Sequence, residues 1–220
     1  SFKKRMKLLE DLHVPSAPLT AEERIMQQAI YDATELDKSF EKADKKIRKQ
    51  YLDALASDQN VQDALAKWND VDSSGAPVLD RAAKEEALKR IIAAQSEAYG
   101  IDAPEIDWST TRATSIAEFQ SSSNQILIDP SSLNDPYEMV RGVLHENTHN
   151  FQDELAKRYL NGEIDRRDPM YQQAKMFAYN YSLDGYVAHA EDAAIYERQP
   201  IERHAHDAGD GGANAVFYGV

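Results

Sequence analysis

Five consecutive residues, His145-Glu146-Asn147-Thr148-His149, carry the chemistry most readily read from this chain. On an α-helix, positions i and i+4 stand on one face, so two imidazoles at that spacing can ligate a single tetrahedral ion. Glu146 follows the first histidine, which turns its carboxylate along the same rim. There it can take a proton from a water on the ion without itself acting as a ligand. Two metal ligands and a general base, the elements of zinc-assisted hydrolysis, therefore fit within five residues.

That geometry needs a helix, and the surrounding sequence supplies its signals. Asp135 is placed as N-cap, Pro136 at the first helical position, and Glu138 to return a capping-box bond. Tyr137, Val140, Val143, Leu144, Thr148, Phe151 and Leu155 then recur at helical spacing until Asn161-Gly162 ends the run. The histidines fall in mid-helix beside an apolar stripe.

Composition bounds the setting. A chain of 220 residues with 42% hydrophobic and 29% charged residues can bury one sizeable core, and its balance is that of a soluble globular protein. It has no cysteine. Any zinc site must then use nitrogen and oxygen ligands, which favours a catalytic centre over the thiolate-rich structural kind. The net charge is −13 and unevenly spread: residues 1–50 hold eleven Lys or Arg against nine Asp or Glu, so the whole acidic excess lies in 51–220. Such a field repels nucleic acid, so none is expected as a partner, and it suits a protein or peptide substrate with basic segments.

No stretch approaches the roughly 18 apolar residues of a membrane span, and Phe2-Lys3-Lys4-Arg5 is not followed by the apolar core of a signal peptide. No membrane partner is expected. The chain begins with Ser1, which suggests a domain of a larger protein, from a bacterial cytoplasm or a secreted effector.

Along the chain, residues 2–13 read as a short amphipathic helix. A long helix starts at the capping box Thr20-Ala21-Glu22-Glu23 and continues, with room for a break, to Leu55. A short helix spans Val61 to Trp68. The loop Asn69 to Gly75 places Asp70, Asp72, Ser74 and Gly75 like the first half of a calcium loop, but Arg81 stands where a bidentate Glu would be needed, so it reads as a linker. Pro77 opens a helix closed at Tyr99-Gly100. From Ile101 the character changes: Arg112 to Gln120 and Gln125 to Asp129 read as two strands joined by a polar turn. Helical patterns return over Met170–Tyr181, Asp184–Tyr196 and from Pro200, and glycines at 209, 211, 212 and 219 suggest a flexible tail.

Two histidines leave a catalytic zinc one protein ligand short. A third histidine six residues after the second, the metzincin arrangement, is absent because that position is Leu155. A glutamate from a downstream helix is the other solution, and Glu191, Glu197 and Glu202 are available. The segment Tyr196-Glu197-Arg198-Gln199-Pro200-Ile201-Glu202-Arg203-His204-Ala205 resembles the Y-x-x-x-P-x-E-x-x-A element that follows His-Glu-x-x-His in bacterial and phage zincins of the gluzincin type. The resemblance spans residues 110–208. It implies that Glu202 is the third ligand, with the small Ala205 allowing close helix packing; Glu191 and then Glu197 are the alternatives.

The expectations are these. The fold is α+β and predominantly helical: a helical N-terminal region, 1–100, precedes a zincin-like metallopeptidase domain, 101–208, with a small β-sheet and the His-Glu-x-x-His helix, and then a tail, 209–220. The resemblance implies a zinc-dependent endopeptidase with Zn2+ held by His145, His149 and Glu202, and Glu146 as general base. Tyr196 is the candidate oxyanion donor, with Tyr186, His204 and His206 also placed by position. Asn150, Gln152 and Asp153 are candidates to support the ligands. The strand ending at Phe119 is a candidate edge for pairing with an extended peptide. The competing expectation is a catalytically silent zincin-fold module whose helical N-terminal region binds a protein partner.

Overall fold

The computed structural model describes residues 20–22, 25, 36–109, 115–181, 185–189 and 192–219. The expected helix over 2–13, most of the first half of the long helix, the strand start at Arg112 and the alternative ligand Glu191 lie outside the described residues. The fold is α+β and predominantly helical, with one small three-stranded mixed sheet.

The elements are α1 (Lys38–Ser57), α2 (Gln59–Ala66), α3 (Arg81–Tyr99), β1 (Glu105–Asp107), β2 (Ala117–Gln120), β3 (Gln125–Ile128), a 3-10 turn (Pro130–Asn134), α4 (Pro136–Leu160), α5 (Tyr171–Asn180), α6 (Ala193–Tyr196) and α7 (Pro200–Tyr218). None of the helices among the described residues is long and apolar enough to cross a membrane.

Local chemistry sets the boundaries. Asp37 starts α1 by accepting the N–H groups of Ser39 and Phe40, so the long helix expected from Thr20 is interrupted before Lys38. Asp80 accepts the N–H of Ala83, which starts α3 at Arg81 and not at Pro77. Pro77 instead bridges to Val71 across a loop held by Asp72, whose carboxylate accepts from Ser74 and Ala76. Asp135 caps α4 through the N–H of Glu138, as expected, whereas the Glu138 carboxylate goes forward to Arg141 and forms no capping box. Gly100 and Gly162, at φ 68° and 73°, terminate α3 and α4 in the left-handed conformation.

Among the described residues of the helix expected over Asp184–Tyr196, those of α6 alone are helical. The Gln199 side chain accepts the N–H of Val187 and donates to its carbonyl, which keeps that residue out of a helical ladder. Residues 209–218, expected as a flexible tail, are the C-terminal half of α7. Its packing accounts for Gly209 and Gly212, as shown below.

The chain divides into two compact units that do not follow the expected 1–100 and 101–208 boundaries. One comprises residues 46–151 and 205–220. Its core gathers Tyr51, Leu55, Trp68, Leu88, Ile91 and Ile92 with the sheet residues Ile126 and Ile128 and with Val140, Val143 and Leu144 of α4. The sheet order is β1-β3-β2, parallel between β1 and β3 and antiparallel between β2 and β3, which leaves β2 an edge strand. The other unit comprises 1–45 and 152–204. Phe40 and Phe177 pack there edge-to-face at 5.7 Å, with the buried His204 ring 5.1 Å and 5.6 Å from them.

Candidate metal centre

The two histidines of α4 face each other. Their Nε2 atoms are 3.1 Å apart, close to the ~3.3 Å that two nitrogen ligands span on a tetrahedral zinc ion. Each ring is half-buried. Glu202, in the first turn of α7 and 2% exposed, completes a group whose ligand atoms all lie within 4.8 Å of one another. Two imidazoles and a buried carboxylate form a nitrogen and oxygen donor set of the kind that could hold a metal ion.

Glu146 points along the same rim. One carboxylate oxygen accepts the Phe119 backbone N–H at 2.8 Å, and the other is 3.9 Å from His145 Nε2. The carboxylate is thus tethered beside the histidine pair by the outer edge of β2, since the Phe119 N–H is turned toward Glu146 and away from β3.

The two central residues of the motif determine which way this face looks. Asn147 and Thr148 are fully buried, with Asn147 on the side of α4 opposite the histidines. Asn147 Nδ2 donates to Gln95 Oε1 at 2.9 Å and to Ser96 Oγ at 3.0 Å. Thr148 Oγ1 donates to the Leu144 carbonyl at 2.7 Å and accepts from Gln95 Nε2 at 3.2 Å. A buried polar network has defined partners, unlike an apolar contact, so it fixes the rotation of α4 about its axis. Gln95 and Ser96 were not singled out from sequence; the available signal was two polar residues inside the apolar face of α3.

The turn that carries Glu202 is held by three buried side-chain amides. Gln152 donates to the Ile201 carbonyl at 2.8 Å, Asn180 Oδ1 accepts the Ile201 N–H at 3.2 Å, and Asn180 Nδ2 donates to Gln199 Oε1 at 3.0 Å. Gln152 also meets His204 Nδ1 at 2.9 Å and accepts from the Tyr181 hydroxyl at 3.1 Å. Of the residues expected to support the ligands, Gln152 therefore reaches the backbone next to Glu202. Asn150 instead donates to the Asp102 carbonyl at 2.9 Å, and Asp153 pairs with Lys157 at 2.6 Å.

His204 is a core residue, with Nε2 3.2 Å from Asp44, and its burial fits packing better than a role as oxyanion donor. His206 stands with its ring 4.6 Å from that of His145. Tyr196 packs its half-exposed ring edge-on to Tyr186 at 6.3 Å and to His189 at 5.4 Å. Glu197 is exposed at the end of α6 and does not join the metal-binding group. One turn before His145 on α4, Arg141 pairs with Asp210 at 2.6 Å and Glu138 at 3.1 Å. Burial works against its charge, but these two carboxylates outweigh it and hold the guanidinium above its ordinary pKa.

No protein-family model, no curated protein and no solved structure matches this chain.

Proposed function

We propose that this protein is a zinc-dependent metallopeptidase that hydrolyses peptide bonds, with His145, His149 and Glu202 as metal ligands and Glu146 as general base. The observation that carries this reading is the convergence of two Nε2 atoms 3.1 Å apart and a buried carboxylate, with a second carboxylate tethered beside them. A structural site would need the three ligands and no adjacent base.

A bound zinc would supply a Lewis acid and a water of near-neutral pKa in its open position. Glu146 accepts the proton of the attacking water and delivers it to the nitrogen of the departing amine as the C–N bond breaks. The hydrogen bond from Phe119 keeps the carboxylate oriented for both transfers. Because β2 is an edge strand, an extended peptide can pair along it and bring its carbonyl alongside Glu146. The net charge of −13 favours basic peptide segments in that position.

The test is cleavage of a set of basic and neutral fluorogenic peptides by the zinc-loaded chain. Hydrolysis that disappears in Glu146→Gln, while that variant keeps its zinc, supports the reading. A zinc-loaded wild type that cleaves no better than Glu146→Gln contradicts it.

A further inference from the structure

In the unit formed by residues 46–151 and 205–220, α7 lies antiparallel against α4. Tyr137 meets Asn214 at 3.0 Å, Arg141 meets Asp210 at 2.6 Å, and His145 meets His206 ring to ring at 4.6 Å. At two places along this seam a glycine stands where any side chain would collide. A Cβ on Gly209 would lie 2.8 Å from the Arg141 carbonyl oxygen and 3.1 Å from the His145 Cβ. A Cβ on Gly212 would overlap Leu144 Cδ1.

The two collisions differ in kind. Leu144 Cδ1 is the end of a buried core side chain that can repack only at a cost, whereas the Arg141 carbonyl belongs to the backbone of α4 and cannot move without the helix. Gly211, on the same helix, would present its Cβ to nothing within 4 Å. Glycine is poorly suited to a helix interior, so its presence at 209 calls for a packing reason, and the close approach of the two backbones is that reason.

Position 209 is also special in register. Glu202, His206 and Gly209 are separated by four and three residues, which puts them on one face of α7, with the face directed at His145 by the contacts of His206 and Gly209. Glu202 lies two turns before Gly209 on the same continuous helix, Pro200–Tyr218.

We propose that Gly209 and His206 are positioning residues for the metal centre. Gly209 lets α7 close onto α4 at His145 and so sets the ligand separation, and His206 braces the His145 imidazole edge-on. This rests on the metal-centre reading above and goes beyond it, because neither residue is a ligand or a base. Metal–ligand distances in a formed site keep to about ±0.2 Å of their usual values, so a methyl that pushes the backbones apart weakens binding even in a folded chain.

The experiment compares the full-length wild type with Gly209→Ala, His206→Ala and Gly211→Ala. Zinc affinity is read by competition with a chromophoric chelator and ligand geometry by the visible absorption of the cobalt-loaded protein, with circular dichroism confirming the fold. Gly209→Ala and His206→Ala are expected to lose about tenfold or more in affinity, with shifted cobalt bands, while Gly211→Ala keeps both wild-type values. His206→Ala removes atoms and introduces no overlap, so it decides the matter should Gly209→Ala fail to fold. Either folded variant with wild-type affinity and unshifted bands overturns the positioning role alone. A wild type that takes up no metal overturns the metal-centre reading, and this inference with it.

Discussion

Gln152, three residues beyond His149 on α4, donates its side-chain amide to the carbonyl of Ile201 at 2.8 Å, one residue before Glu202. The helix that supplies two of the three proposed ligands thereby also holds the backbone turn that supplies the third. The bond is fully buried, and its oxygen end is occupied by the Tyr181 hydroxyl, so the amide has one orientation.

Removing that clamp should separate ligand placement from ligand identity. Gln152→Ala leaves His145, His149 and Glu202 in the chain but frees the Glu202 turn, and zinc affinity should fall by roughly 10- to 100-fold. A competition titration against a chelator measures it. Unchanged affinity would show that Asn180 and Gln199 hold the turn without Gln152.

The network behind the motif should matter to stability with or without metal. Asn147→Ala strands the buried amide oxygen of Gln95 and the hydroxyl of Ser96, which costs about 1–3 kcal/mol. Urea unfolding of the metal-free protein should show that loss, and a variant as stable as wild type would mean the network is not structurally required.

How much of this could be read beforehand follows from the kind of interaction involved. The histidine pair, Glu146, the α4 cap at Asp135 and the stop at Gly162 rest on local geometry, which the sequence displays directly. The strands β2 and β3 were recognisable from a short apolar run and its turn. Long-range partners were not visible: the Asn147–Gln95 bond joins residues 52 positions apart, and nothing local marks it. The reading of 209–218 as a tail failed because glycine signals flexibility locally, while here it serves a helix that must pass close to another. The segment near Val187 looked helical because its pattern gives no hint that Gln199 takes over its backbone bonds.

The glycines of α7 should respond in opposite directions. Gly212→Ala crowds Leu144 in the core and should cost about 1–3 kcal/mol, whereas Gly211→Ala gains helix propensity worth up to about 1 kcal/mol. Thermal unfolding of the metal-free variants tests both signs, and equal shifts would remove the distinction.

The loop before α3 should show an acid-sensitive contribution. The Ser74 hydroxyl foremost, with the backbone N–H groups of Ser74 and Ala76, holds the Asp72 carboxyl below its ordinary pKa. A lowered folded-state pKa means the stabilisation is present above the ordinary aspartate range and lost as the pH falls through that range and below it. The stability difference between wild type and Asp72→Ala should therefore be present at neutral pH and shrink on acidification. A difference that grows toward low pH would contradict this.

The central claim is tested most directly by metal content. Wild type, His145→Ala, Glu202→Ala and Glu146→Gln are dialysed against trace zinc and analysed by mass spectrometry. About one zinc per chain is expected in the wild type and in Glu146→Gln, with loss in the two ligand variants. A wild type without zinc, or ligand variants that retain as much as the wild type, would contradict the account.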